Sequence, residues 1–147
     1  MDQALMRRNG LRILVAEDEP LAAMVIEDVL SELGHTILLA ADGEEALRLA
    51  EAVSFDVLVT DLAMPRMTGW ELVPRLRACC PDLPVVVMTG YLPPNGRDVL
   101  QPEPESPLVI LLKPFELGQL TAAINQVTDR MRRPMQAAPA QALLQLH

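Results

Sequence analysis

The sequence predicts an α/β fold, a doubly wound parallel sheet with helices on both faces. Three observations carry that prediction. Five short runs of β-branched and aliphatic residues recur along the chain, each ending abruptly on a charged or hydroxyl-bearing residue. Stretches with helical apolar spacing separate them, so strand and helix alternate. Stop and start residues, among them Pro20, Gly34, Asp42 and Pro81, stand at the edges of those stretches.

The first run, residues 11–16, contains Ile13-Leu14-Val15 and ends on Glu17-Asp18-Glu19. Pro20 follows at a helix start, where its missing N–H costs nothing. The helix is expected over 21–33, with Leu21, Met24, Val25, Val29 and Leu33 on a broad apolar face and Ile26 and Leu30 beside them. Gly34 supplies the left-handed residue that closes it. A second strand, 36–41, leads into Asp42-Gly43-Glu44-Glu45, an N-cap with a capping-box glutamate, and a helix through Ala46, Leu47, Leu49, Ala50 and Val53.

The third run, Val57-Leu58-Val59-Thr60, closes on Asp61 and is followed by Leu62-Ala63-Met64-Pro65. Thr68 and Glu71 suggest another capping box, opening a helix through Trp70, Leu72, Val73 and Leu76. Pro74 inside that helix implies a kink or a late start. The fourth strand, Val85-Val86-Val87-Met88, ends on Thr89-Gly90-Tyr91.

Between Leu92 and Pro107 five prolines break the rhythm, leaving room for a turn or two of helix over 96–101. A proline-rich segment thus stands in place of a regular fourth helix. The fifth strand, 108–112, ends on Lys113-Pro114, and a last helix is expected over 115–132 with Leu117, Leu120, Ile124, Val127 and Met131 in register.

A chain of 147 residues suits one compact domain, over 11–133, with a lead at 1–10 and a flexible tail at 134–147. A short apolar helix over 140–146 is the alternative for the tail. The net charge of −8 argues against non-specific nucleic-acid binding and against an anionic membrane surface. No apolar run approaches the roughly 18–20 residues of a membrane span, and the first ten residues lack the apolar centre of a signal peptide, so the cytoplasm is the expected location. Cys79 and Cys80 are adjacent and lack zinc or redox spacing; a helix end with one of them facing the core is expected. His35 and His147 have no ligand-spaced partners and read as incidental.

In parallel sheets ligands bind beyond the carboxyl ends of the strands. Strand one delivers Glu17 and Asp18 there, strand three Asp61, strand four Thr89 and strand five Lys113. Like charges about 4 Å apart repel by roughly 4 kcal/mol at an effective dielectric near 20, so such carboxylates call for a cation. All-oxygen ligands favour Mg²⁺, which commonly bridges carboxylates to phosphate. An ionised Asp61 can then act as a nucleophile on phosphorus, with Lys113 and the Thr89 hydroxyl taking phosphoryl oxygens.

These residues together resemble the receiver domain of bacterial two-component response regulators. The likeness runs over about 11–132 and rests on Glu17-Asp18, on Asp61 with Met64-Pro65 and Gly69, on Thr89, and on Lys113-Pro114-Phe115. It implies a flavodoxin-like, five-stranded sheet in the order 2-1-3-4-5. It implies that Asp61 accepts a phosphoryl group from a histidine kinase or phosphotransfer protein. Asp18, Asp61 and the Ala63 backbone carbonyl would ligate Mg²⁺, Glu17 would act through a bound water, and the Lys113–Pro114 bond would be cis. A receiver promotes only its own phosphorylation and dephosphorylation and is not otherwise an enzyme.

The usual aromatic switch position, three before the lysine, holds Ile110 here. Tyr91, in Thr89-Gly90-Tyr91, resembles a subset of single-domain and hybrid-kinase receivers and is expected to gate or report phosphoryl occupancy together with Thr89. The irregular stretch 92–107 makes dimerisation through that face less expected and suits an order–disorder switch. Output would be contact with a downstream protein target or onward phosphotransfer, from a single-domain regulator or a piece of a hybrid kinase. Two alternatives stand. One is a degenerate receiver that binds without being phosphorylated. The other is a haloacid-dehalogenase-like Mg²⁺ phosphatase, which needs a second aspartate where this chain has Ala63.

Overall fold

The computed structural model describes residues 10–129. Its five strands are β1 (Arg12–Ala16), β2 (Thr36–Ala40), β3 (Val57–Asp61), β4 (Val85–Thr89) and β5 (Leu108–Leu112). They form one parallel sheet in the order β2-β1-β3-β4-β5. The helices are α1 (Pro20–Glu32), α2 (Gly43–Ala52), α3 (Gly69–Cys79), α4 (Gly96–Leu100) and α5 (Leu117–Val127).

Alternation along the strands builds two cores, because successive side chains leave opposite faces of a pleated strand. Ile13, Val15, Val57, Val59, Val86 and Met88 meet Ile26 and Leu30 of α1 and Leu120, Ile124 and Val127 of α5. Leu14, Leu58, Val85 and Val87 meet Ala46 of α2, Leu72, Val73 and Leu76 of α3, and Leu100 of α4. The central strands β3 and β4 are buried at every residue, as near-continuous apolar runs require in a sheet covered on both faces.

The helix edges follow local chemistry. Glu19, which the sequence reading left without a role, caps α1 by accepting the N–H groups of Leu21 and Ala22. Gly34 adopts φ +97°, the left-handed turn expected there. Asp42 caps α2 by accepting from the Glu45 N–H at 2.8 Å, while the Glu45 carboxylate reaches back to Ala41 rather than to the cap itself. Thr68 precedes α3 but makes no side-chain capping bond, so the capping box expected at Thr68 and Glu71 does not form. Helix α3 spans Pro74 in one piece. Helix α5 starts at Leu117, two residues later than expected, because Gln119 accepts the Glu116 N–H at 2.8 Å and fixes the first turn there.

Three other expectations are corrected. The apolar face of α1 is rotated: Ala23, Ile26 and Leu30 are buried, whereas Leu21, Met24, Val25 and Leu33 are exposed. This helix is apolar around most of its circumference, so spacing alone cannot rank its two stripes. Ile26 and Leu30, on the buried stripe, pack into the core shared with β1, β3 and β4. Cys79 and Cys80 are both exposed, because α3 turns Leu72, Val73 and Leu76 to the core. His35 is not incidental: its Nδ1 accepts the Leu11 N–H at 3.0 Å where the chain enters β1. Met131, Arg132 and the tail 134–147 lie outside the described residues.

The proline-rich stretch carries only the five-residue α4 and is held by a clamp. The half-buried Arg77 of α3 donates to the carbonyls of Leu100 at 2.6 Å, Pro107 at 2.5 Å and Leu83 at 3.5 Å. Gln101 adds a bond to the Ser106 carbonyl at 2.7 Å. Charged donors to buried carbonyls are worth about 1.5–3 kcal/mol each, and removing the donor leaves the acceptors unpaired. An Arg77→Met protein is therefore expected to lose about 2 kcal/mol of stability in denaturant titration. Its amide exchange should quicken selectively between residues 100 and 107.

Candidate functional site

The carboxyl ends of β1, β3 and β5 bring the expected groups together. Asp61 is the last residue of β3 and is buried, as is Glu17 just beyond β1, while Asp18 is exposed. One ligand oxygen from each of Glu17, Asp18 and Asp61 lies within 4.8 Å of the others. Lys113, just after β5, reaches in from the opposite side. Its Nζ donates to Asp61 Oδ2 at 2.5 Å and approaches Glu17 Oε1 at 3.5 Å. The Lys113–Pro114 bond is cis.

Each group is placed by its backbone. Glu17 is fixed by its own N–H to the Ala40 carbonyl, and its Oε2 accepts the Glu19 N–H at 3.0 Å. The Lys113 N–H donates to the Thr89 carbonyl, which ties the end of β5 to that of β4. Asp61 Oδ1 accepts the Ala63 N–H at 3.1 Å, so the loop after β3 turns back on the carboxylate. Gly69, first residue of α3, sits so close to Asp61 that a Cβ there would collide with the Asp61 carbonyl oxygen.

The electrostatics match this crowding. Burial raises the Glu17 carboxyl above the ordinary range, and Asp61 adds to the rise, against the opposing Glu19 N–H and Lys113. Burial alone would lower the Lys113 ammonium, but the hydrogen bond and charge of Asp61, then Glu17, leave it raised overall. One ammonium thus faces three carboxylates, an oxygen-rich set with excess negative charge. Hard oxygen donors of this kind suit a divalent cation such as Mg²⁺.

Thr89 ends β4 at the same edge, one residue beyond the partner of Asp61, but its hydroxyl is engaged by the Tyr91 backbone. The Thr89 hydroxyl donates to the Tyr91 carbonyl at 2.9 Å, and the Tyr91 N–H returns to that hydroxyl at 3.3 Å. The Tyr91 side chain is among the exposed large apolar groups, and Ile110 is half-buried against the α3 side of the sheet. The pairing of Asp42, expected only as a helix cap, with Arg66 on the loop after β3 left no sign in the sequence. Asp42 is buried and accepts both from Arg66 Nε at 2.7 Å and from Arg66 Nη2 at 2.6 Å, although it lies on a different loop. Arg66 has φ +66°, a conformation that glycine or asparagine would have signalled in the sequence and arginine does not.

Comparison with known proteins agrees with this geometry. The family model for the response regulator receiver domain matches residues 13–125. The transcriptional regulatory protein PdtaR of Mycobacterium tuberculosis is 34% identical over 123 residues, covering 82% of this chain and 58% of that protein. TcrA of the same organism is 33% identical over 125 residues, covering 84% of this chain and 48% of that protein. The chain therefore spans only about half the length of these curated relatives. Among solved structures, the receiver domain of the Francisella response regulator 1452 aligns with a TM-score of 0.72 at 30% identity, over 82% of this chain and 98% of that one. Thermotoga maritima TrrA, solved in complex with Mg²⁺ and BeF, aligns with a TM-score of 0.69 at 27% identity, over 79% of this chain and 97% of that one.

Proposed function

The chain belongs to the response regulator receiver domain family, and from that footing we propose that Asp61 is its phosphoacceptor in a two-component phosphorelay. The observation that carries the reading is the convergence of Glu17, Asp18, Asp61 and Lys113 from three strand ends. Asp18, Asp61 and the Ala63 carbonyl would hold Mg²⁺, with Glu17 acting through an intervening water. The metal would supply charge neutralisation for the incoming phosphoryl oxygens. TrrA, which holds Mg²⁺ and BeF, supports this choice of ion.

An Asp61 carboxylate oxygen forms the new O–P bond as the N–P bond of a phosphohistidine breaks, and the electron pair returns to the imidazole nitrogen. Lys113 is already bound to Asp61 and moves only a short way to a phosphoryl oxygen. The Thr89 hydroxyl leaves the Tyr91 carbonyl to reach the phosphoryl group, and this exchange frees the Thr89–Tyr91 turn. Tyr91 and the segment after it then report occupancy, without a switch aromatic at Ile110. The exposed Leu21, Met24 and Val25 of α1 lie beside the acidic loop and offer an apolar surface to a histidine kinase or phosphotransfer protein. No helix among the described residues is long and apolar enough to cross a membrane. The protein acts on itself rather than turning over a separate substrate, and its output is contact with a downstream protein.

The test is incubation with a small N–P phosphodonor, followed by intact mass. A single phosphoryl adduct is expected with Mg²⁺ and none after chelation. Continuous consumption of donor without an adduct, or no reaction with donor or kinase, would contradict the proposal. Metal affinity should also fall as pH is lowered. Glu17 is raised above the ordinary carboxylate range, so protons compete with the cation earlier than at a solvated glutamate. Metal titrations at several pH values read this directly. Tyr91→Ala is expected to alter the phosphoryl half-life; an unchanged half-life with unchanged partner binding removes Tyr91 from the switch.

A further inference from the structure

The loop between β3 and α3 carries Ala63, and its neighbour in space is the loop between β2 and α2. Two contacts join them. Arg66 Nε and Nη2 both bind Asp42 Oδ2, at 2.7 and 2.6 Å, and the Gly43 N–H donates to the Met67 carbonyl at 3.0 Å. The approach is tight enough that a side chain at Gly43 would collide with the Met67 backbone. Asp42 is buried and also caps α2 through its other oxygen, so it is a fixed anchor. Arg66 is the exposed partner, held at φ +66°, a left-handed conformation that most residues bearing a Cβ disfavour.

The same loop begins and ends on the phosphoacceptor. Ala63 N–H binds Asp61 Oδ1, and Gly69 packs against the Asp61 carbonyl. Met64 and Met67 sink into the core and set the depth of the loop. The ion pair ties it sideways to α2. We propose that Arg66 and Asp42 form a latch that positions the Ala63 backbone at Asp61, and that Arg66 is thereby a positioning residue for cation binding and phosphoryl uptake. This rests on the reading of Asp61 as a Mg²⁺-assisted phosphoacceptor. Groups that orient metal ligands from outside typically change metal affinity by 10- to 100-fold when removed.

The experiment measures Mg²⁺ affinity by calorimetry, with the fluorescence of Trp70, the chain's single tryptophan, as a second readout. Melting temperature without metal is recorded for each protein. Arg66→Ala is expected to weaken Mg²⁺ binding roughly tenfold with little change in metal-free melting. Arg66→Lys, which keeps one charged contact, should recover part of the loss. Asp42→Asn retains the helix cap but not the charge, so it should weaken binding like Arg66→Ala. The double variant should be no worse than either single one, since both remove the same contact. Wild-type affinity in Arg66→Ala, or losses that add in the double variant, overturns the latch while leaving the phosphoacceptor reading intact. A wild-type protein that neither binds Mg²⁺ nor takes up phosphoryl overturns both. Should Arg66→Ala fail to fold, Arg66→Lys and Asp42→Asn carry the same comparison.

Discussion

Asp18→Asn is expected to make the protein more stable without metal and to abolish its response to Mg²⁺. Asp18, Glu17 and Asp61 place ligand oxygens within 4.8 Å of one another, and Lys113 binds only the latter two. At that separation a pair of like charges repels by roughly 3 kcal/mol at an effective dielectric near 20, and the exposure of Asp18 reduces this. A gain of about 1 kcal/mol on neutralising Asp18 follows, or roughly 4 °C in melting temperature. Saturating Mg²⁺ should raise the melting temperature of the wild type and leave Asp18→Asn nearly unmoved, because the ion stabilises only what it binds. Phosphoryl uptake should fall by on the order of a hundredfold. A less stable variant, or an undiminished Mg²⁺ shift, would show that the carboxylates do not form a cation site.

Gly69→Ala is expected to damage both stability and uptake. A Cβ at this position meets the carbonyl oxygen of Asp61, the buried last residue of β3, and lies 3.0 Å from the Cα of the buried Leu62 that follows it. The strand end cannot yield, so α3 must retreat or the loop must distort. Overpacking of this kind costs about 1–3 kcal/mol. Displacing the nucleophile by around 1 Å costs on the order of a hundredfold in rate. Gly118 in α5 has open space where a Cβ would go, so Gly118→Ala is the control. It should stabilise slightly, by about 0.5–1 kcal/mol, as alanine replaces glycine in a helix. Denaturant midpoints and phosphoryl uptake rates, measured on both variants, check the contrast.

The strand ends were legible in the sequence because burial and chemistry change together there. Val57 to Thr60 must be apolar or β-branched to lie inside the sheet, and Asp61 breaks that run where the sheet ends. The same reading placed Glu17, Asp18, Thr89 and Lys113 at one edge, since parallel strands share a direction. It failed where three-dimensional context decides. The α1 helix has two apolar stripes, and only packing in three dimensions, which buries Ala23, Ile26 and Leu30, chooses between them. Thr68 stands at the N-cap with extended backbone, but its side chain makes no capping bond. Arg66 was not singled out, because neither its left-handed backbone nor a partner 24 positions away leaves a local pattern. Thr89 was expected to face the phosphoryl site, whereas its hydroxyl donates to the Tyr91 carbonyl.

The most direct measurement locates the phosphoryl group on the chain. Protein charged in the presence of Mg²⁺ is reduced with borohydride, which converts an aspartyl phosphate to homoserine, and is then mapped by peptide mass spectrometry. Homoserine at position 61 alone, absent in Asp61→Asn and absent after chelation, is the expected result. Homoserine at another carboxylate such as Asp18, or none from protein that carries a phosphoryl group by intact mass, would contradict the assignment of Asp61 as the acceptor.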